Sequence, residues 1–218
     1  MKVELLGNPT FGHAKVSLRA GEHVIVESGA MAAMSSDLQL KSRFLGGFFR
    51  ALLRKIVTGE SLLVGDYSSN QPAELVLSPS IPGEVRHITL QPGRSLFFQG
   101  GSFLACTPGI RMGTKFGGLR SFLSSEGIFF LQLSGQGELL FNSYGAIVEH
   151  DIDGSFTIDT SHVVGWEDTL DWKLKGMGSL KNTLLSGEGF VMEFTGKGKL
   201  WTQTRSLSGM VSWLSRYC

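Results

Sequence analysis

The sequence predicts an all-β protein, and three observations support this fold class. Most segments are short apolar or alternating runs bounded by glycine, proline, asparagine or serine, which is typical of strands joined by turns. Glycine is abundant, at 29 residues, and charged residues make up 18% of the chain, against about 25% in an average globular protein. The same order of strand-like and turn-like segments also occurs three times. The clearest strands are His23–Glu27, Ser61–Tyr67, Ala73–Leu77, Glu84–Leu90, Ile128–Leu133, Glu138–Phe141 and Phe190–Phe194.

The repeat opens with a strand that ends in a turn. The three copies of this element are Val16–Gly21, Ile88–Gly93 and Phe156–Ser161. After a glycine-containing insert, a glycine-flanked acidic turn leads into a hydrophobic strand, at Gly59–Leu63, Glu126–Phe130 and Glu188–Met192. A small curved sheet cannot cover its own hydrophobic face, but it can pack on copies of itself. We therefore predict a single compact unit of three pseudo-repeats, over about 13–80, 85–150 and 153–205.

Two segments have a helical rather than a strand-like period. From Phe44 to Val57 the apolar residues recur close to every 3.6 positions, with arginines on the opposite side, which predicts an amphipathic helix that Gly46 and Gly47 weaken. Near the end of the chain, Leu207, Met210, Val211, Leu214 and Tyr217 follow the same spacing. A short amphipathic helix is therefore expected to close the chain, over residues 206–217.

The charge balance and the cysteine content narrow the classes of partner and compartment. The 20 basic residues almost cancel the 19 acidic ones, so no general attraction to nucleic acid is expected. Two cysteines, Cys106 and Cys218, form no disulfide framework, which fits a reducing cytoplasm. Residues 1–12 lack the pattern of a secretory signal, and no stretch approaches the roughly 20 apolar residues needed to cross a bilayer.

The residues that could carry chemistry form no recognisable constellation, so we predict no enzyme, no metal and no cofactor. The histidines are isolated in sequence, with no His-x-His pair, and are expected at the surface or in hydrogen bonds: His13, His23, His87, His150 and His162. Cys106 lies in an apolar run and has no base nearby in sequence, so a small buried side chain is expected. The glycine pairs lack the spacing of phosphate-binding loops and are interpreted as turns and bulges.

One segment stands out as a candidate surface for a protein partner or a membrane. No acidic residue occurs between Asp37 and Glu60, and both basic and aromatic residues occur within this stretch. The candidate residues are Arg43, Phe48, Phe49, Arg50, Arg54 and Lys55. A basic amphipathic helix of this kind docks on a partner or lies at a membrane surface. The alternative is that its apolar side packs on the protein's own sheet and its basic side is solvated.

The order of several short motifs resembles the altered-inheritance-of-mitochondria family over nearly the whole chain. These motifs are Glu27–Met31, Thr58–Leu62, Leu75–Gly83 and, after a Pro-Gly turn, Gln99–Ala105. The resemblance implies a β-sandwich or double-stranded β-helix fold like that of the tryptophan RNA-attenuation protein, repeated within the chain and assembled into a homotrimer. It also implies an association with inner-membrane organisation in mitochondrial members and no settled activity in bacterial ones. No catalytic residue is carried over.

Three functional hypotheses follow. The first is a non-enzymatic, cytoplasmic, oligomeric scaffold or interaction protein, peripheral to a membrane through the insert at Phe44–Val57. The second is RNA binding by analogy with the attenuation-protein fold, which the near-zero net charge and the lack of a repeated basic-aromatic motif oppose. The third is binding of a small molecule in a pocket between repeats, for which the sequence names neither a ligand nor a convergent set of polar residues.

Overall fold

The computed structural model describes residues 1–44, 63–116, 129–176 and 190–217. The first strands are β1 (Lys2–Leu6), β2 (His13–Leu18), β3 (His23–Glu27), β4 (Met31–Met34), β5 (Gln39–Phe44), β6 (Leu63–Ser68) and β7 (Ala73–Leu77). The middle strands are β8 (Val85–Leu90), β9 (Ser95–Gln99), β10 (Phe103–Cys106), β11 (Ile110–Phe116), β12 (Phe129–Gly135) and β13 (Gly137–Asn142). The last elements are β14 (Ile147–Asp159), a 3-10 turn (Thr160–His162), β15 (Val163–Glu167), β16 (Leu170–Gly176), β17 (Phe190–Gln203) and α1 (Leu207–Leu214).

These elements confirm the predicted all-β class and the C-terminal helix. Each of the seven strands expected from the sequence overlaps a strand of the structure, and β3 and β7 match at both ends. Ser61, Leu62 and Ile128 lie outside the described residues. The alternation of the sequence explains why. In β2, Ala14, Val16 and Leu18 are buried while the residues between them are half-exposed, which is the two-residue period of a strand with one covered face.

The strands form three sheets. The first has four strands in the order β1-β2-β7-β4, and the second has six in the order β5-β6-β3-β10-β13-β8. The third runs β11-β12-β9-β15-β17-β14, with β16 also paired to β17. All the strand pairs within these sheets are antiparallel.

The same set of pairings recurs three times along the chain. Over residues 13–77, β2 and β4 pair with β7, while β3 and β5 pair with β6. Over residues 85–142, β8 and β10 pair with β13, while β9 and β11 pair with β12. Over residues 147–203, the long strands β14 and β17 pair along their whole length, and β15 and β16 both pair with β17. We refer to these three stretches as the first, second and third repeats.

The third repeat differs from the other two because its strands are continuous. A turn at Gly93 separates β8 from β9, whereas β14 passes through Gly154 without interruption. The register therefore places Phe156 at a position equivalent to β9. The repeat predicted from the sequence instead aligns Phe156–Ser161 with Ile88–Gly93, because both segments end in turn-forming residues. Ile88 belongs to β8, so this alignment is one strand too early in the second repeat.

The hydrophobic core forms three clusters that follow the three repeats. One lies between the first and second sheets and is centred on Val16, Leu75 and Leu104. The second cluster joins the second and third sheets. The third surrounds the fully buried Trp166, whose ring contacts those of Phe97, Phe130, Trp172 and Phe194. The apolar faces of the strands are thus buried either within one repeat or between adjacent repeats.

The helical segments agree with the prediction only in part. Helix α1 begins after Ser206, whose side-chain oxygen accepts a hydrogen bond from the Gly209 N–H at 3.2 Å, and it ends at Leu214. The helix expected over Phe44–Val57 does not start at Phe44, because that residue is the last of β5, and the rest of the segment lies outside the described residues. Among the helices that the structure describes, none is long and apolar enough to cross a membrane.

Candidate interaction surfaces

The beginnings of the three repeats meet at three glycines, which we call the glycine hub: Gly12, Gly83 and Gly145. The Gly12 N–H donates to the Gly83 carbonyl oxygen at 2.7 Å, and Gly83 forms a parallel bridge with Gly145. The Gly145 N–H also donates to the Pro82 carbonyl at 3.0 Å. Backbone hydrogen bonds therefore link the start of the first repeat to the second, and the start of the second to the third.

Only glycine allows the backbones to approach this closely. A β-carbon on Gly83 would meet the Ser143 carbonyl oxygen directly and would lie 2.7 Å from the Gly145 nitrogen. A β-carbon on Gly12 would lie 2.7 Å from the Val85 nitrogen. Because these neighbours are backbone atoms, they cannot move aside as a flexible side chain could.

The strand ends that border two of the undescribed segments lie on the same side of the molecule as the glycine hub. In the second sheet, the strand register runs from the paired residues Phe44 and Leu63 across to the first residue of β8. These strand ends therefore lie along the same side of the sheet. In the third sheet, the last residue of β11 pairs with the first residue of β12, and this pair lies along the side of the sheet where β14 begins. We call this side of the molecule the hub end.

Helix α1 lies at the hub end and presents an apolar stripe to solvent. The Arg205 N–H donates to the Tyr144 carbonyl at 3.3 Å, and the Tyr144 hydroxyl donates to Met210 Sδ at 3.0 Å. None of the side chains of α1 is buried in the part of the chain that the structure describes. The exposed apolar residues in and just after the helix are Leu207, Val211, Trp213, Leu214 and Tyr217. Trp213 and Tyr217 pack against each other with ring centroids 5.3 Å apart.

Helix α1 is amphipathic, so this exposure covers one contiguous stripe. At 100° per residue, the apolar side chains of 207–217 fall within one arc, and Ser208, Ser212 and Arg216 fall on the other side. More than half of the Trp213 side chain is accessible, at 56%. An exposed apolar stripe of this kind is a candidate interaction site.

A charged network stabilises the junction between the second and third repeats. Glu149 accepts a hydrogen bond from Trp201 Nε1 at 2.8 Å and forms ion pairs with Lys199 and Arg86. The hydrogen bond from Lys199 is the main reason why the pKa of Glu149 lies below its ordinary value. Burial opposes this shift, and the hydrogen bond from Trp201 adds a smaller lowering. Glu84 extends the network, because its carboxylate accepts from Arg86 Nε and from the Ile147 N–H. These groups tie β8 to β14.

The remaining titratable candidates have structural surroundings. Each histidine has a hydrogen-bond partner, as expected from the sequence: His13 with Phe11, His23 with Asp66, His87 with Glu138, His150 with Thr202 and His162 with Gln203. Cys106 is fully buried, and burial raises the pKa of its thiol to about 12, which opposes nucleophilic use. Over the described ranges, histidine, cysteine and carboxylate side chains form no cluster of three that could hold a metal ion.

A depression that is open to solvent lies on the third sheet, between β9, β11 and β12. Its lining residues are Ser95, Arg111, Met112, Gly113, Gln132 and Ser134. Arg111 is the one charged residue among them. A small-molecule site normally buries most of its ligand between apolar walls, and this depression has no such walls.

The surface predicted from the sequence falls mostly outside the described residues. Arg43 lies in β5 opposite Val64, whereas Phe48, Phe49, Arg50, Arg54 and Lys55 belong to the undescribed segment 45–62. Sequence reasoning predicted α1 as a helix but missed it as a surface. The signal was present, because Trp213 and Tyr217 add two large aromatic rings to the apolar side of a short amphipathic helix.

Comparison with known proteins identifies the family. The family model described as "Mitochondrial biogenesis AIM24" matches residues 3–205. An uncharacterized protein of Streptococcus pyogenes serotype M6 is 29% identical over 217 residues, covering 95% of this chain and 87% of that protein. A crystal structure of a Streptococcus pyogenes protein superposes with a TM-score of 0.84 at 28% identity, covering 100% of this chain and 99% of that one. These matches confirm the resemblance seen in the sequence, and the chain belongs to the mitochondrial biogenesis AIM24 family.

Proposed function

We propose that this protein is a non-enzymatic, self-associating scaffold of the cytoplasm whose hub end binds a membrane surface. The observation that carries the proposal is the apolar stripe of α1, which is exposed beside the glycine hub. The family resemblance supports self-association, and the low cysteine content supports the cytoplasmic location. The trimer is the expected assembly.

A lipid surface suits this stripe for two reasons. Tryptophan and tyrosine are enriched where proteins meet the membrane interface, because their rings are apolar and their N–H or O–H groups remain hydrated. The basic segment predicted at Phe44–Val57 is also attached to strands that end on the same side of the molecule. Apolar insertion and attraction to anionic lipid would then act together, which stable peripheral binding generally requires.

The alternatives have less support. RNA binding by this fold would need basic and aromatic residues repeated around the molecule, whereas the 20 basic and 19 acidic residues nearly cancel. A small-molecule role would depend on the open depression beside Arg111, which has few groups to hold a ligand.

Liposome flotation of the whole protein tests the proposal. We expect the wild type to float with vesicles of phosphatidylcholine and phosphatidylglycerol, and less with phosphatidylcholine alone. Trp213→Asp should weaken the membrane partition constant, obtained from flotation over a series of lipid concentrations, about tenfold, because a tenfold change corresponds to about 1.4 kcal/mol and burial of a large apolar side chain contributes at least that much. Phe48→Asp, in the basic segment, should also reduce it.

The matched control is Ser212→Asp, which adds the same charge on the opposite side of α1. It should float like the wild type. Equal flotation of Trp213→Asp and the wild type would contradict membrane binding through α1. Equal loss of flotation in Trp213→Asp and Ser212→Asp would attribute the effect to the added charge alone. Loss of flotation with Phe48→Asp but not with Trp213→Asp would transfer the membrane contact to the basic segment.

A further inference from the structure

The loop between β1 and β2, residues 7–12, presents a second apolar tip beside the glycine hub, and we call it the Phe11 loop. Its last residue, Gly12, is a member of the hub and is hydrogen-bonded to the start of the second repeat. The Phe11 side chain next to it is 70% exposed. Leu6, the last residue of β1, precedes the loop and is 38% exposed. Apolar surface at the hub end therefore occurs at the Phe11 loop as well as on α1.

Hydrogen bonds fix the shape of the Phe11 loop. The Phe11 N–H donates to the Gly7 carbonyl oxygen at 3.0 Å and closes the loop as a turn. The Asn8 side chain fastens the loop to the second repeat, because its Nδ2 donates to the Val85 carbonyl oxygen at 2.8 Å and its Oδ1 accepts from the Val85 N–H at 2.9 Å. Phe11 is thus exposed on a fixed backbone, so little conformational entropy is lost when a partner covers it.

The Phe11 loop and α1 are joined through the glycine hub. Gly12 is hydrogen-bonded to Gly83, which is bridged to Gly145. Arg205, which precedes α1, lies against Gly145. Because adjacent paired backbones lie about 4.8 Å apart, these three steps place the attachment points of the loop and the helix at most roughly 15 Å from each other. Both elements are therefore close enough to reach one surface.

The charge around the two elements suits an anionic surface. Residues 5–21, which include the Phe11 loop, contain no acidic residue, and neither do residues 194–218, which include α1. Arg205 and Arg216 are exposed on either side of the helix. Glu84, the carboxylate beside the hub, is only 15% exposed and belongs to the charged network described above. Anionic headgroups attract basic residues near a membrane, and no carboxylate in these two ranges opposes this attraction.

We infer that the Phe11 loop is a second lipid-contacting element, which enters the same anionic bilayer as the apolar stripe of α1. With two contacts at the hub end, the glycine hub faces the membrane and the strands lead away from it. The inference rests on the membrane binding in the proposed function and adds a contact residue and an orientation to it.

A bilayer is the partner that fits these contacts best. Phe11 stands at the tip of a loop, and the side chains of α1 lie outside the core, so the apolar surface belongs to two separate small elements. A stable protein partner normally covers about 800 Å² of continuous, closely packed surface. A bilayer needs no such complementarity, because apolar side chains enter the boundary between headgroups and acyl chains wherever they project.

Flotation of Phe11 variants tests the inference. Phe11→Ser removes the ring without adding a charge, and it should weaken the partition constant on vesicles of phosphatidylcholine and phosphatidylglycerol about tenfold, because burial of a phenylalanine side chain is lost. Phe11→Trp should bind at least as well as the wild type, since tryptophan is favoured at the membrane interface. Both variants should keep the wild-type melting temperature, because the side chain is mostly exposed.

A double variant tests whether the two contacts are separate. Phe11→Ser combined with Trp213→Asp should weaken the partition constant about a hundredfold, because independent sites on one rigid body contribute additively to the free energy of binding. Equal partition constants for the double variant and Trp213→Asp alone would show that Phe11 makes no contact of its own and would overturn the inference.

A fluorescent label reports the orientation. In a Cys218→Ser background, Thr10→Cys places an environment-sensitive dye on the Phe11 loop. Gln91→Cys is the matched control, because this exposed residue follows β8 at the end of the strand that is far from the hub. Cys106 is buried and should not react. On addition of vesicles, the emission from position 10 should shift to the blue and rise, whereas the emission from position 91 should not change.

The outcomes separate this inference from the proposed function. If the wild type does not bind vesicles, membrane binding itself is wrong. If Trp213→Asp loses binding but Phe11→Ser binds like the wild type and the dye at position 10 does not respond, membrane binding stands and the second contact is wrong. Equal losses in Phe11→Ser and Phe11→Trp would attribute the effect to the shape of the loop. An equal response of the dye at positions 10 and 91 would contradict the orientation.

Discussion

At the scale of single residues, polar groups in this protein act mainly as structural links. Glu149 illustrates this, because it receives a hydrogen bond from Trp201 and ion pairs from Lys199 and Arg86 at the junction of two repeats. Its side chain is about one third exposed, at 34%, so solvent screens these interactions. The network therefore contributes modestly to stability, and its effect depends on pH.

Glu149→Gln should lower the free energy of unfolding at pH 7 by about 0.5–1 kcal/mol. Because the folded protein lowers the pKa of Glu149, its stabilising effect is present above the ordinary value of 4.5 and is lost as the pH falls through the lowered value. Denaturant unfolding of both proteins between pH 7 and pH 3 measures this. The difference should shrink toward the acid end of the range.

The control for this prediction is Asp171→Asn, which removes an exposed carboxylate that has no hydrogen bond or ion pair in the described structure. It should stay within about 0.5 kcal/mol of the wild type at every pH. A difference between Glu149→Gln and the wild type that is constant with pH would contradict an ionic origin.

At the scale of elements, the glycine hub decides how the strands are joined. Alternation in the sequence specifies which side of a strand is buried, but each junction between repeats depends on backbone groups that approach without side chains between them. Gly12, Gly83 and Gly145 make this approach sterically feasible. A glycine in a turn and a glycine at such a junction look the same in the sequence.

Gly83→Ala should destabilise the protein by about 1–3 kcal/mol, because the new β-carbon would overlap backbone atoms of Ser143 and Gly145. Gly113→Ala is the matched control, since its nearest neighbour would be the Gln132 carbonyl oxygen at 4.0 Å. Urea denaturation measures both variants. Equal midpoints for the two would show that close packing at the hub does not contribute to stability.

At the scale of the whole molecule, the chain is an open series of three repeats. The strands β10 and β15 at the two internal junctions are buried, whereas β4 and the second half of β14, residues 154–159, are not buried and pair on one side only among the described strands. The exposed helix at the hub end is a second uncovered surface. These exposed surfaces of the described structure therefore belong to the first repeat, to the third repeat and to the helix that follows it.

Light scattering of the purified protein should give a native mass near three times the chain mass of 23.7 kDa. The number three follows from the family resemblance, which implies a homotrimer, and three identical chains can close by cyclic symmetry. Native mass spectrometry of the same sample should show no stoichiometric small molecule or metal. A monomer would contradict self-association, and a bound ligand would favour the small-molecule hypothesis.

The sequence by itself determined the all-β class, the positions of most strands, the closing helix and the family. These properties depend on local periodicity and turn chemistry, as in β3 and β7, or on the order of motifs along the chain. Only the tertiary structure decided that Phe156 takes the position of β9, that three glycines meet at one hub, and that β4 and the second half of β14 are not buried in the described structure. Register and edge exposure arise from pairing between distant segments, so β4 and β10 differ in burial through their neighbours in space rather than through any local pattern.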